Sequence, residues 1–335
     1  MSARRRHLIA LERFGGPEVM RWVEADAPDP GPEEVAVAVE ALGVNFGDTM
    51  VRRGEYRRDQ PLDFTPGFEA AGRVVEDPSD DLAVGQRVIV FNDNGRGYAD
   101  LLVVPRHRVF AVPDDVDPTV LAAIFIQGTT AWYSLFRFGY LAAGEWALIH
   151  AGAGGVGGLA IQLARAAGAR PIATASSEAK LEIARGHGAE HAILADPETL
   201  AAQVRQLTDG HGADVVVDGV NGPLVAPSMK AMAFHGRYVV CGAASQTAGP
   251  IDTRVLMPRN QSIAGFVTAR IIDRDPAEPR RAIDAVLDAW RAGDLKPEMT
   301  VVPPTDVVRA HEMLEDRAHT GKIVLDLAGN PLGGS

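Results

Sequence analysis

The chain has 335 residues, 46% of them hydrophobic and 23% charged; that length suggests about two domains, and that composition packs cores and does not resemble a disordered chain. Its 33 Lys and Arg against 44 Asp and Glu leave a net charge of −11, which argues against nucleic acid or an anionic membrane as partner, because phosphate surfaces repel a net-negative protein. The single cysteine, Cys241, excludes an internal disulfide and any multi-cysteine zinc site.

The opening MSARRRHLIAL places only four apolar residues, Leu8 to Leu11, after its basic cluster. A signal peptide needs an apolar stretch of roughly 7–15 residues, so none is expected here. No apolar run approaches the ~20 residues of a membrane span, and the expectation is a soluble, cytoplasmic protein.

Up to about residue 120 the chain reads as strands punctuated by Pro, Gly and Asp. Glu33–Val44 alternates apolar and polar residues at period two, as a half-buried strand does. AAGRVVE, QRVIVF, YADLLVVP and HRVFAVP repeat that pattern, with little sign of helix.

The pattern changes near Pro118. From Glu145 short apolar strands alternate with longer helical stretches: WALIH, VGGLAIQLARAAG, RPIAT, SEAKLEIARGHG, HAIL, ADVVVD, PLVAPSMKAMAFHG, RYVVCG and QSIAGF. Such alternation indicates βαβ units and one doubly wound parallel sheet, over residues 123–265. Two helices (Pro279–Ala292 and Thr305–Arg317) and two strands (Met299–Val302 and Lys322–Leu327) follow. They are too few for a separate domain, so residues 266–335 are expected to return and complete a β-rich domain begun by residues 1–122.

Directly after WALIH stands AGAGGVGGLAIQLA, in which Gly152, Gly154 and Gly157 fit G-x-G-x-x-G between a strand and a helix. Gly152 suits the tight turn, Gly154 lets the backbone approach a pyrophosphate, and Gly157 allows close helix–strand packing. Gly155 and Val156 open the helix, whose N-terminus offers free N–H groups and positive dipole to phosphate. NAD binders place a carboxylate at the end of the second strand, about 20 residues on, for the ribose 2′-OH. That strand ends here in Ser176 and Ser177, with Lys180 beginning the next helix. Hydroxyls and a cation suit a 2′-phosphate, so NADPH is the expected cofactor. No P-loop, no G-x-S-x-G and no Tyr four residues before a Lys occurs.

The order of a β-rich region, a mid-chain dinucleotide domain and a returning tail resembles the medium-chain dehydrogenase/reductase superfamily. GVNFGDTMVRRGEY, PGFEAAGRVV, QGTTAW, AGAGGVG, SSEAK and AHEMLEDRAHTGKIVL resemble its zinc-free quinone oxidoreductase branch, which includes zeta-crystallin. The resemblance implies an α/β protein with a GroES-like β-rich catalytic domain and a Rossmann doubly wound domain. Zinc-dependent members carry Cys and His-Glu where this chain has Asn45 and Phe68-Glu69, so no metal is expected. The implied chemistry is hydride transfer from NADPH to a quinone or an α,β-unsaturated carbonyl, whose conjugated oxygen gathers charge. Site residues carried over are Asn45, Asp48 and Tyr56 at the substrate. At the cofactor they are Thr130, Cys241, Gly242, Phe266 and Arg317, joining the glycine loop and Ser176, Ser177 and Lys180. Met50 stands where the family often has Tyr, and Ala195 where one pattern has an adenine-side Tyr. The alternatives are an enoyl-thioester or biosynthetic tailoring enoyl reductase, in which Arg52, Arg53, Arg57 and Arg58 would serve an acyl carrier, and a crystallin-like protein that binds NADPH without catalysis. A homodimer pairing edge strands of the cofactor domains is implied as well.

Overall fold

A computed structural model describes residues 4–316, 319–329 and 332. It falls into two compact units, Met1–Ile126 with Ile272–Pro276 and Met299–Ser335, and Gln127–Ile271 with Ala277–Glu298. In chain order the elements are β1 (Arg5–Leu11), β2 (Met20–Asp26), β3 (Glu34–Val44), α1 (Phe46–Arg53), β4 (Glu69–Glu76), β5 (Arg87–Phe91), β6 (Leu101–Pro105), β7 (Val109–Ala111) and α2 (Pro118–Trp132). Next come β8 (Trp146–Ile149), α3 (Gly155–Ala166), β9 (Arg170–Ala175), α4 (Glu178–Gly186), β10 (His191–Leu194), α5 (Leu200–Leu207), β11 (Ala213–Asp218), α6 (Val225–Ala231), β12 (Met232–Val240) and β13 (Ser262–Gly265). The last are α7 (Thr268–Arg274), α8 (Glu278–Ala292), β14 (Met299–Val302), α9 (Val307–Glu315) and β15 (Lys322–Asp326).

In the first unit a seven-stranded sheet runs β14-β15-β3-β4-β5-β7, with β6 also paired to β3, and β1–β2 form a separate hairpin. β3 pairs with β4, β6 and β15. It is buried more continuously than a half-buried strand: Val35, Val37, Val39 and Leu42 enter the main core, while Ala41 packs with Ala122, Ala123 and Val324. The short helix α1, which period-two reading missed, begins at Asn45 and stops at Gly54, whose φ of 75° is a left-handed C-terminal cap.

In the second unit six strands, all parallel, lie in the order β10-β9-β8-β11-β12-β13. Numbered from β8, that order is 3-2-1-4-5-6, the Rossmann arrangement, with its switch point between β8 and β11. Its core is formed by buried residues such as Leu148, Ile172, Val216 and Tyr238.

Three expectations need correction. The domain boundaries shift: the first break falls after Ile126, and Ala277–Glu298, with α8, joins the second unit instead of the tail. The reason is packing: α8 buries Ile283, Val286 and Leu287, a Cβ on Gly128 would lie 2.8 Å from Val286, and Arg137 pairs with Glu278 at 2.9 Å. The Gln162 amide, moreover, accepts from Lys296 N at 2.7 Å and donates to Lys296 O at 3.1 Å. Second, MAFHG is not the end of a helix but the start of β12. Met232 and Ala233 are fully buried, and the chain bulges at Phe234 and His235 (φ 60°) before pairing with β11 resumes at Arg237. Third, the helical stretch Pro118–Phe138, 21 residues at mean hydropathy 1.3, is long and apolar enough to cross a membrane; 78% of its apolar window is buried within the fold, as in a core helix.

Replacing Gln162 by Ala leaves the backbone of residue 296 without both partners. A loss of ~1–3 kcal/mol in denaturant unfolding is expected, with faster hydrogen exchange at Lys296.

Candidate functional site

The glycine loop follows β8. Here the positive φ belongs to Ala151 (53°), not to Gly152, a conformation that costs a residue with a side chain roughly 1–2 kcal/mol. Gly152 is required for space: its Cβ would lie 2.8 Å from the Ala173 Cβ and 3.1 Å from Ala184. At Gly157 a Cβ would stand 2.3 Å from Ala151 O, so α3 packs on the loop only because nothing is there. Gly154 is different. A Cβ there meets only Ala151 O, at 3.3 Å, which leaves the backbone open to an approaching group. Gly154 caps α3, whose first turn holds Gly155, Val156 and Gly157 and carries no acidic residue.

Ser176, Ser177, Cys241, Gly242 and Phe266 follow strands of the same parallel sheet. Ser176 and Ser177 follow β9 and are exposed. Ser177 caps α4, its Oγ accepting from Lys180 N at 3.4 Å. Cys241 and Gly242 follow β12, Phe266 follows β13, and the four strands are parallel, so all these residues lie at carboxyl ends. Cys241 N donates to Asp218 O at 2.9 Å, and burial pushes its thiol up to about 12. Phe266 stacks on Phe138 at 4.9 Å and against Tyr133 at 5.7 Å. Thr130 is buried deep inside the helix that starts at Pro118, and its carbonyl accepts from Ser134 Oγ at 2.8 Å. Arg317 lies outside the described residues.

Sequence reading missed the polar support beneath these strand ends. His150, fully enclosed after β8, bonds Thr174 Oγ1 through Nδ1 at 2.9 Å and Ser228 Oγ through Nε2 at 2.8 Å. Asp218, at the end of β11, accepts from Val220 N, Asn221 N and the Tyr238 hydroxyl. Burial holds the His150 imidazole below its ordinary value, so it ties strand ends together as a neutral ring.

In the first unit the candidates divide. Asp48 is fully buried, and its carboxylate accepts from Asn45 N (2.8 Å), Gly67 N (2.7 Å) and the Tyr98 hydroxyl (3.2 Å). Asn45 is turned inward: its Nδ2 donates to Glu69 Oε1 (2.9 Å) and Gly43 O (3.2 Å), while its Oδ1 accepts from Lys322 Nζ (2.9 Å). Both amide donors are therefore committed. Tyr56 is the exposed member, at 37%, its ring against Phe68 at 4.9 Å and Phe64 at 6.4 Å. Of the four arginines around it, Arg52 is buried and pairs with Glu315, Arg53 reaches the same carboxylate, and Arg57 donates to Asp93 O.

Behind Asp48 runs a chain that no sequence pattern announced. Arg52 Nη1 faces His311 Nδ1 at 3.2 Å, and His311 Nε2 faces the Tyr98 hydroxyl at 3.2 Å. A guanidinium only donates, so Nδ1 accepts, Nε2 carries the proton, and Tyr98 is left to donate to Asp48. Burial, with Arg52 and Arg53 nearby, takes His311 down to about 3, whereas burial takes Asp48 up to about 6 against the pull of its hydrogen bonds. Among the described residues no group of three or more His, Cys, Asp or Glu could hold a metal ion.

Residues 31–114 match the family described as alcohol dehydrogenase GroES-like domain, and residues 155–288 the family described as zinc-binding dehydrogenase. Quinone oxidoreductase from Pseudomonas aeruginosa is 33% identical over 323 residues, covering 95% of this chain and 98% of that protein. The chain belongs to the zinc-independent quinone oxidoreductase branch of the medium-chain dehydrogenase/reductase superfamily. The Escherichia coli quinone oxidoreductase solved in complex with NADPH superposes with a TM-score of 0.88 at 28% identity, covering 96% of this chain and 99% of that one. The CurK enoyl reductase superposes with a TM-score of 0.85 at 26% identity, with the same coverage. The solved structures on which this chain superposes thus include both a quinone oxidoreductase and an enoyl reductase.

Two outcomes follow from this geometry. His311 has a folded-state value below its unfolded 6.5, so its contribution is whole above about pH 6.5 and is lost towards pH 3, at up to ~1.4 kcal/mol per pH unit. Asp48, raised from 3.8 to about 6, acts oppositely, adding stability as pH falls through that window. In urea unfolding, the advantage of wild type over His311→Asn should shrink steadily below pH 6.5. Gly154→Ala should leave the melting temperature nearly unchanged while weakening dinucleotide binding at least about tenfold, the ~1.4 kcal/mol expected of a methyl placed in the path of a phosphate, as read by calorimetry.

Proposed function

We propose that this protein is an NADPH-dependent, zinc-independent reductase of quinones or α,β-unsaturated carbonyls. The observation that carries the reading is the open Gly154 backbone at the N-terminus of α3, at the switch point of the sheet, beside a second strand that ends in hydroxyls. The residues fit the cofactor. The loop from Gly152 to Gly157 would hold the pyrophosphate, Ser176, Ser177 and Lys180 the 2′-phosphate, and Thr130, Cys241, Gly242 and Phe266 the nicotinamide side.

When bound, NADPH supplies a hydride. The chain's own task is to orient the acceptor and supply a donor for the oxygen on which charge develops. Tyr56 is our candidate for that donor, because it is exposed while Asn45 and Asp48 are engaged internally. Asn45 and Asp48 are then positioning residues, fixing the start of α1 ahead of Tyr56. Zinc independence is supported by residue chemistry: Asn45 and Phe68 occupy the positions of the thiolate and imidazole ligands, and Cys241 lies in the other unit. An acyl-carrier patch on the arginines is not favoured, since Arg52, Arg53 and Arg57 are spent on Glu315 and Asp93. We further infer a homodimer through β13, one of the two edge strands of the parallel sheet; sedimentation showing a monomer at micromolar concentration would contradict it.

The test is nicotinamide absorbance with NADPH and NADH side by side, against benzoquinone, phenanthrenequinone, a simple enone and crotonyl-CoA. Turnover of quinone or enone with NADPH is expected; turnover of crotonyl-CoA alone would move the protein to the enoyl-thioester reductases, and tight NADPH binding without any turnover to the crystallin-like class. Lys180→Ala should cut the preference for NADPH over NADH by roughly 10–100-fold, the equivalent of one charge-assisted hydrogen bond of ~1.5–3 kcal/mol. Tyr56→Phe should lower kcat by about 100-fold with cofactor affinity unchanged; unchanged kcat would remove Tyr56 from the site while leaving the reductase reading intact.

A further inference from the structure

We propose that the first unit carries a separate ligand site, a cavity of about 400 Å³ beside the β1–β2 hairpin that takes a small amphipathic monocarboxylate, an acid group on a hydrocarbon body. Arg6, Thr65 and Arg96 line it together with Leu8, Leu11 and Leu62, and none of them has a part in the proposed reaction.

Arg6 is the reason. Its neighbours on β1 are matched: Arg4 pairs with Glu76, and Arg5 with Glu24 and Asp26. Arg6 is only 9% exposed, yet no carboxylate lies within ion-pair distance of it among the described residues. Its guanidinium makes one long hydrogen bond, Nη1 to Leu101 O at 3.4 Å, and its Nε has no partner. A buried charge left unmatched is among the costliest features a fold can hold. Arg96, itself paired with Asp63 at 2.6 Å, adds like charge nearby, which Asp100, already bonded to His7, offsets. Thr65 repeats the pattern with a neutral group, its Oγ1 buried without a partner among the described residues. Arg6 and Thr65 line one cavity, and each holds a buried polar atom without a partner among the described residues; a guanidinium and a hydroxyl together are complementary to one carboxylate.

The rest of the lining sets the ligand class. Its surface is largely apolar, and Leu62 and Val23, which also lines it, are 38% and 37% exposed, large hydrophobic side chains that a hydrocarbon body would cover. Asp26 and Asp63 stand in the same lining. They would repel a dianion, so a phosphate is disfavoured and a single negative charge preferred.

The experiment uses the full chain with hexanoate as probe, followed by calorimetry and thermal melting. Saturable binding and a raised melting temperature are expected, with hexanol and inorganic phosphate each at least tenfold weaker. Arg6→Met should lose at least tenfold in hexanoate affinity and, without ligand, should melt higher than wild type, because the unmatched charge is gone. Thr65→Val, the gentler change, should weaken hexanoate severalfold and leave NADPH binding untouched. The proposal is overturned if hexanoate does not saturate, if phosphate displaces it at equal concentration, or if Arg6→Met binds as well as wild type and melts lower. The last result would make Arg6 a structural residue.

Discussion

Glu69 imposes the constraint on which the first unit rests. Its side chain is wholly buried, and a carboxylate in that position must be matched by charge and hydrogen bonds or the fold loses several kcal/mol. Lys322 of β15 supplies the charge, Asn45 Nδ2 and Ile126 N supply hydrogen bonds, and Gly43 makes room, since a Cβ there would stand 2.4 Å from the carboxylate. One group thereby fastens β3, β4, β15, the start of α1 and the end of the first stretch of chain. Lys322 is itself buried, and desolvation lowers it while Glu69 raises it; either partner alone would be an uncompensated charge.

The same logic shapes what the candidate site can do. Asn45 and Asp48 are polar residues in the right segment, but polarity is not availability. Asp48 spends both oxygens on backbone N–H groups and Tyr98, and the orientation of that hydroxyl is dictated two groups away by Arg52, through the tautomer of His311. A network satisfied at every member holds one geometry, which is what a reacting centre demands of its surroundings. Tyr56, packed on two phenylalanine rings and 37% exposed, is the most exposed of the three.

The Rossmann unit reaches an equivalent end by subtraction. Gly152 and Gly157 are glycines because neighbouring atoms fill the space of a Cβ, and Gly154 is one where that space is open. The strained φ has passed to Ala151, and His150 and Asp218 lash the strand ends beneath it. Packing and binding are thus assigned to different glycines of one motif.

Strand alternation, the G-x-G-x-x-G after a strand and the absence of a carboxylate after RPIAT are local patterns, and they determined a β-rich region, a doubly wound region and the position of the dinucleotide loop, while the family rested on the resemblance of longer motifs such as GVNFGDTMVRRGEY. They work because period, turn chemistry and close backbone approach are written in neighbouring residues. Which buried groups pair is not written there. Glu69 and Lys322 are separated by most of the chain, as are Arg52 and His311, and nothing local marks them as partners. The same holds for α8, whose apolar face could have served either unit and which packs on Gly128, and for Arg6, one arginine in a run of three. Tertiary structure decided these, because the energy of a charge depends on what surrounds it in space, and a sequence lists only what precedes and follows it.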